Sequence, residues 1–250
     1  MGGPIRLSVI IPVRNGAHFL ARAVASVRGD AGPAVEIVVV DDRSTDDTRA
    51  IAEELARRDE GVIRIVAADK GCPAGARNIG IAAAGGELLT FLDVDDEWET
   101  GRTAALMRRL DGDPTLDVAY GRIKAWVADP EDPVWGKNSF SDQALPFPLV
   151  GAGIYRRAAF DRAGLFDETL FFGEDFDWFL RACEARLHLV IIDQVVLRYH
   201  LHASNITRER QKATFAMTTV MRRSLQRRRR NGVTEQMPPI SDYYEKEKAR

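Results

Sequence analysis

Four short apolar runs rich in β-branched residues constrain the fold of this chain most strongly. They are Leu7–Val13 (LSVIIPV), Val35–Val40 (VEIVVV), Val62–Ala67 (VIRIVA) and Leu88–Leu92 (LLTFL). Each reads as a buried strand. Helical stretches separate them: Ala17–Val27, a segment from Ser44 to about Arg58, and Gly75–Ala84. Asn15 is a candidate cap for the first helix, and Ser44 with Asp47 three residues later resembles a capping box for the second. Apolar strands alternating with helices predict an α/β fold with a parallel sheet covered on both faces. Such sheets bind ligands beyond the carboxyl ends of their strands. Asn15, Asp42, Asp93 and Asp95 each follow a strand, so they are expected to gather along one rim.

Composition narrows the partners. The 250 residues are 45% hydrophobic, enough for one sizeable core or one large domain with a small appendage. Lys+Arg 35 against Asp+Glu 37 gives a net charge of −2, which does not point to nucleic acid. Cys72 and Cys183 fit neither a disulfide scaffold nor a zinc site, and suit a reducing, cytoplasmic setting. The start MGGPIRLSVII lacks a signal-peptide pattern, and no apolar run approaches the ~20 residues of a membrane span.

The segment GELLTFLDVDDEW, Gly86–Trp98, carries an apolar strand straight into Asp93, Asp95 and Asp96. In extended chain Asp93 and Asp95 point to the same side. Two carboxylates there suit a hard divalent ion with positions left for phosphate oxygens, Mg²⁺ or Mn²⁺. The plainer reading is a strand-end turn with Asp96 capping the next helix. Asp42 is either a turn residue or a carboxylate that accepts from a nucleobase N–H. Arg77 and Asn78, in GARNIG, belong to a helix; Arg77 is either solvated or holds carboxylates or a phosphate in fork geometry. Glu174 and Asp175, in FFGEDFDWFLR, open a helix of Glu174–Ala185 and are either favourable to its dipole or a general base. His200 and His202 alternate on a strand, so both could share a face and offer nitrogen to a metal.

The second half is less regular. Asp129–Pro148 reads as a long loop of the kind that serves as a lid or binding loop. Leu149–Arg156, Leu187–Asp193 and Val195–Tyr199 are strand candidates. Arg208–Arg230 is basic and reads as a solvated face or as a helix lying peripherally on anionic membrane, and the tail Asn231–Arg250 shows no core signal.

Five segments in order, SVIIPVRN (Ser8–Asn15), IVVVDDRSTDDT (Ile37–Thr48), GARNIGIAAAGGELLTFLDVDDEW (Gly75–Trp98), GEDFDWFLR (Gly173–Arg181) and YHLHASN (Tyr199–Asn205), resemble the family 2 glycosyltransferases. The resemblance implies a GT-A fold, a mostly parallel Rossmann-like sheet flanked by helices with a less regular acceptor side. It implies a catalytic domain over 1–205, with a nucleotide half to about 98 and an acceptor half after it, and a basic helix and polar tail over 206–250. Pro12, Val13 and Asn15 would line the nucleotide pocket, Asp42 would bind the base, usually uracil, and Arg77 would lie near the diphosphate. Asp93 would contact ribose or metal, Asp95 would be the principal ligand of Mn²⁺ or Mg²⁺, and His202 would assist it. Asp175 would be the catalytic base, with Glu174 beside it. The expected reaction is inverting, non-processive transfer from a nucleotide-diphosphate sugar to a saccharide, lipid-linked or small-molecule acceptor.

The chain departs from the family pattern in places. His200 stands where an arginine is usual, the proline after the acidic motif is replaced by Glu99-Thr100-Gly101, and no Q-x-x-R-W follows Asp175. Rival readings are a nucleotide-sugar-binding protein without catalysis and an aspartyl-nucleophile phosphatase, which would not have Asp96 after the second aspartate. A dinucleotide-binding dehydrogenase is also disfavoured, because no G-x-G-x-x-G follows the first strand.

Overall fold

A computed structural model describes residues 5–32, 34–59, 61–127, 144–145, 149–202, 210–233 and 237–245. The strands β1 (Leu7–Val13), β2 (Val35–Asp42), β3 (Ile63–Ala68) and β4 (Leu88–Phe91) form the parallel half of one sheet, ordered β3-β2-β1-β4. Val9 lies opposite Ile37 on one side and Thr90 on the other, and Val39 lies opposite Ile65. The crossovers are α1 (Ala17–Asp30), α2 (Thr48–Arg58) and α3 (Pro73–Ala83).

Strand alternation divides the core in two. Val9, Ile11 and Val13 of β1 and Ile37 and Val39 of β2 meet Leu20, Val24 and Val27 of α1. Their neighbours Ile10, Val38 and Val40 point the other way, to Ala74, Ala76 and Ile81 of α3. Both faces are therefore dry, and each fully buried Ile, Leu or Val contributes about 1.5–3 kcal/mol. The sheet grows outward from β1 in both directions, so a crevice opens between the carboxyl ends of β1 and β4.

Beyond β4 the sheet becomes mixed. It contains β5 (Glu97–Trp98), β6 (Val118–Val127), β7 (Ala144–Leu145), β8 (Gly153–Arg156) and β9 (Leu189–Leu201), in the order β4-β8-β6-β9-β5 with β7 on the side of β6. β8 runs antiparallel to β4 and β6, while β9 runs parallel to β6. The helices here are α4 (Arg102–Gly112), α5 (Arg157–Ala163), α6 (Glu174–Glu184) and α7 (Arg210–Arg230). Among the described residues no helix is long and apolar enough to cross a membrane.

Several local expectations change. The two strand candidates after Leu187 are one strand, β9, because β6 pairs along nearly all of it through register shifts between Tyr120 and Ile123. Leu149–Arg156 is a 3₁₀ turn over Val150–Ala152 followed by β8. Ser44 does not open α2; the N-cap is Asp47, and the Ser44 hydroxyl accepts from the Asn15 N–H at 2.9 Å instead. Asn15 does not cap α1, which begins after Gly16. The tail is not featureless, since Ile240 and Tyr243 pack on the second core and Tyr244 bridges to Ile191. The expected loop Asp129–Pro148 lies outside the described residues except for Ala144–Leu145.

Trp98, which follows the acidic run, is a structural residue. The Arg102 guanidinium stacks 3.9 Å from its ring centroid and donates to Thr90 Oγ1 at 2.7 Å and to the Gly153 carbonyl at 3.1 Å. Burial pushes this arginine down to about 9. α4 is capped from a distance: Asp30, the last residue of α1, accepts the N–H groups of Gly101 and Thr103.

α3 crosses the sheet closest at Gly80. A Cβ there would collide with Ile10 Cγ2 and stand 3.2 Å from Val40 Cγ2. Both neighbours are buried β-branched side chains with no room to yield. Gly80→Ala is therefore expected to destabilise the fold, the gain of about 1 kcal/mol in helix propensity being outweighed by about 1–3 kcal/mol of overpacking. A melting temperature at or above that of the parent would contradict the close crossing.

Candidate active site

The crevice at the switch point is a cleft of about 490 Å³. Most of the residues singled out from the sequence line it: Pro12, Val13, Asn15, Asp42, Arg77, Asp93, Asp95, Asp96, Glu174, Asp175 and His202, whereas Asn78 and His200 do not. They come from the ends of β1, β2 and β4, from α3, from the start of α6 and from the end of β9.

The first wall is zipped together by polar loop residues. Asn15 sits in the left-handed region at φ 53°, and its Oδ1 accepts the Thr45 N–H at 2.8 Å. The Gly16 N–H donates to Thr48 Oγ1 at 2.9 Å. These bonds join the loop after β1 to the loop after β2. Asp42 is buried at the end of β2 and accepts from the N–H groups of Lys70 (2.8 Å) and Gly71 (2.7 Å), one on each oxygen. Each carboxylate oxygen keeps a further lone pair for a ligand donor.

The floor is Arg77. It is buried, with Nη2 2.6 Å from Asp93 Oδ1 and Nη1 against Glu174 Oε1. Burial alone would lower its pKa, but Asp93 and Glu174 more than offset this and raise it. Both terminal nitrogens are thus engaged by carboxylates. The neighbouring Asn78 accepts the Phe166 N–H at 3.0 Å and donates to the Phe166 carbonyl at 2.9 Å, fixing the segment that leads into α6.

The acidic loop after β4 sends its carboxylates in different directions. Asp96 turns inward and accepts the His200 N–H at 2.9 Å. Burial first, then the charges of Asp95 and Asp93, push its pKa well up. It does not cap the next helix, whose N-cap is Gly101. Asp95 faces the cleft, with Oδ2 3.1 Å from His202 Nε2. The His202 ring stacks on Phe19 (centroids 5.2 Å, 25° between planes), and Arg22 donates to the Asp95 carbonyl at 2.8 Å. The two histidines do not act as a pair. His200 Nε2 lies 2.7 Å from Glu97 Oε1, and only His202 reaches the cleft.

Asp95 and His202 offer one oxygen and one nitrogen donor, a set that suits Mn²⁺ and, less well, the oxygen-preferring Mg²⁺. Among the described residues no three His, Cys, Asp or Glu side chains converge on one point, so a cation held here needs further oxygens from a ligand or water.

Asp175, in the first turn of α6, accepts the adjacent Phe176 N–H at 2.7 Å. Its carboxyl is pushed up to about 7, by burial first and by the Glu174 charge second, with Arg77 pulling the other way. A carboxylate of this affinity can take a proton from a polarised hydroxyl near neutral pH. Sequence reasoning missed Phe19, whose only signal is its place one turn before Arg22, and Phe171, which stands 61% exposed at the mouth of the cleft.

The family model for glycosyl transferase family 2 matches residues 8–164. The chain belongs to this family. Among curated relatives of the family 2 chain, the succinoglycan biosynthesis protein ExoU of Rhizobium meliloti is 34% identical over 197 residues, covering 72% of this chain and 57% of that protein. The GalNAc(5)-diNAcBac-PP-undecaprenol beta-1,3-glucosyltransferase of Campylobacter jejuni is 36% identical over 105 residues, 42% of this chain and 34% of that protein. The chain thus spans about half the length, or less, of such relatives. Among solved structures, S. aureus TarS 1–349 in complex with UDP-GlcNAc superposes with a TM-score of 0.68 at 21% identity, covering 86% of this chain and 65% of that one. The mannosyltransferase PcManGT of Pyrobaculum calidifontis, in complex with GDP-Man and Mn²⁺, gives a TM-score of 0.71 at 18% identity over 96% of this chain and 69% of that one. The fold is GT-A.

Arg77 stands between two carboxylates, and removing one partner of a buried ion pair typically costs about 3–5 kcal/mol. Asp93 is partly exposed, so Arg77→Met is expected to lose about 3 kcal/mol, the lower end of that range, in urea denaturation. Parent-like stability would show that the pair is not structural.

Proposed function

We propose that this chain catalyses inverting transfer of a sugar from a nucleotide-diphosphate donor, a UDP-sugar first, to an acceptor hydroxyl. The observation that carries this reading is the convergence of Asp42, Asp95 and Asp175, far apart in sequence, on one cleft. The TarS complex with UDP-GlcNAc and the PcManGT complex with GDP-Man and Mn²⁺ support a nucleotide-sugar donor and a divalent cation in this fold. The undecaprenol-linked substrate in the C. jejuni enzyme's name makes a lipid-linked saccharide one acceptor to test.

In this reading Asp42 accepts from the base, and Pro12, Val13 and Asn15 flank the nucleoside. Asp93 meets the ribose while remaining paired to Arg77. Arg77 works through its carboxylates, holding Asp93 and Glu174 in place beneath the diphosphate. Asp95 and His202 would hold Mn²⁺ or Mg²⁺, which would offset the negative charge that grows on the departing diphosphate. Asp175 takes the acceptor proton as the acceptor oxygen bonds to the anomeric carbon and the bond to the diphosphate oxygen breaks on the opposite face. Glu174 acts on Asp175 electrostatically and does not touch substrate.

Ionised Asp175 is the active form, so kcat/KM is expected to rise with pH through about 7 and then level off. Glu174→Gln removes the neighbouring negative charge and should move that midpoint downward. Asp175→Asn should abolish transfer and leave UDP binding intact; a fully active variant removes the base assignment.

Thermal-shift titration tests the donor and cation together, since a ligand specific for the folded state stabilises by RT ln(1 + [L]/Kd). UDP or a UDP-sugar should raise the melting temperature more with Mn²⁺ than with EDTA. His202→Ala and Asp95→Asn should erase that difference. No response to any nucleotide would defeat the transferase reading.

A further inference from the structure

α7 has one face built into the protein and one left uncovered. Inward, Val220 and Ser224 are buried. Arg227 pairs with Glu184 (2.8 Å) and Asp177 (2.9 Å), and Arg223 with Asp167 (2.6 Å). Outward, Phe215 is 75% exposed, Met221 48% and Leu225 49%. Arg222 and Arg229 are exposed with them. Phe215, Arg222, Leu225 and Arg229 follow one another at steps of seven, three and four, which places them on a single stripe, with Met221 beside it. The helix contains no acidic residue.

We propose that this outer face of α7 docks peripherally on an anionic lipid surface. Among the described residues the large apolar side chains of this face stay exposed, while Val220, Ser224, Arg223 and Arg227 on the other face supply the packing and ion pairs given above. Interleaved arginines can keep their head groups at the phosphates while their stems lie along the apolar residues. A nucleic acid would use the cations but has no place for a Phe–Met–Leu stripe. A second copy of this chain, paired through the same face, would set arginines against arginines. The inner face of α7 also touches the cleft: Val220 and Met217 lie 3.5 and 3.8 Å from where a Cβ of Gly173 would stand, directly before Glu174 and Asp175.

Co-sedimentation of the full chain with sucrose-loaded vesicles tests this without catalysis. Pelleting is expected with phosphatidylcholine containing phosphatidylglycerol, not with phosphatidylcholine alone, and high salt should reverse it. Arg222→Gln with Arg229→Gln should lower partitioning about 30-fold, from about 1 kcal/mol per arginine near an anionic surface. Phe215→Ser with Leu225→Ser should also weaken it while leaving UDP binding and melting temperature at parental values. Absence of pelleting on the phosphatidylglycerol-containing vesicles, equal pelleting on both kinds, or light scattering that shows a dimer split by these same variants overturns the proposal.

Discussion

A buried guanidinium ties the two halves of this molecule together at the point where they meet. Arg77 rises from α3, in the parallel half, and spans from Asp93 after β4 to Glu174 at the start of α6. Without it the buried Glu174 carboxylate would lose its cation and face the partly exposed Asp93 with like charge, an unfavourable arrangement. With it, the acidic loop and the first turn of α6 are set at a fixed separation. Asn78, one residue on, secures the approach to α6 through Phe166. Both anchors come from one short helix segment, whose close seating on the sheet depends on Gly80.

Six carboxylates line the cleft, and four of them have partners inside the protein. Asp42 is tied to two loop amides, Asp93 and Glu174 to Arg77, and Asp96 to the backbone of β9. Two acidic side chains remain turned to the opening with different surroundings. Asp95 has a histidine beside it, whereas burial and a like charge push Asp175 up to about 7. One environment favours a cation and the other a proton acceptor, which is the division of labour the proposed transfer requires.

The mixed half of the sheet supplies what the parallel half lacks. β9 carries His202 back to the acidic loop, and the α5–α6 region delivers Asp175 to the opposite side of the opening. α7 then packs along α6 through partly buried ion pairs and leaves its apolar and cationic stripe outward.

Much of this was determined by the sequence alone. The runs from Leu7 to Leu92 declare buried parallel strands because residues inside a two-faced sheet must be apolar on both sides. The polar residues that end those runs fall on one rim because all parallel strands end on the same edge. Hence Asn15, Asp42, Asp93 and Asp95 were legible as a group, Arg77, Asp175 and His202 stood out as candidates, and the family motifs gave them roles and added Pro12 and Val13. β6 was not legible, because its outer end alternates charged and exposed residues and Gly121 interrupts its pattern. The caps offered by Asn15, Ser44 and Asp96 were misread for a related reason. Short polar side chains satisfy whichever backbone group tertiary folding brings near, and here those lay in another loop for Asn15 and Ser44 and in β9 for Asp96. Only the tertiary structure could decide which histidine meets Asp95, that carboxylates engage both terminal nitrogens of Arg77, and which way Asp175 titrates. Each depends on burial and on distances between residues far apart in the chain, which local sequence does not encode.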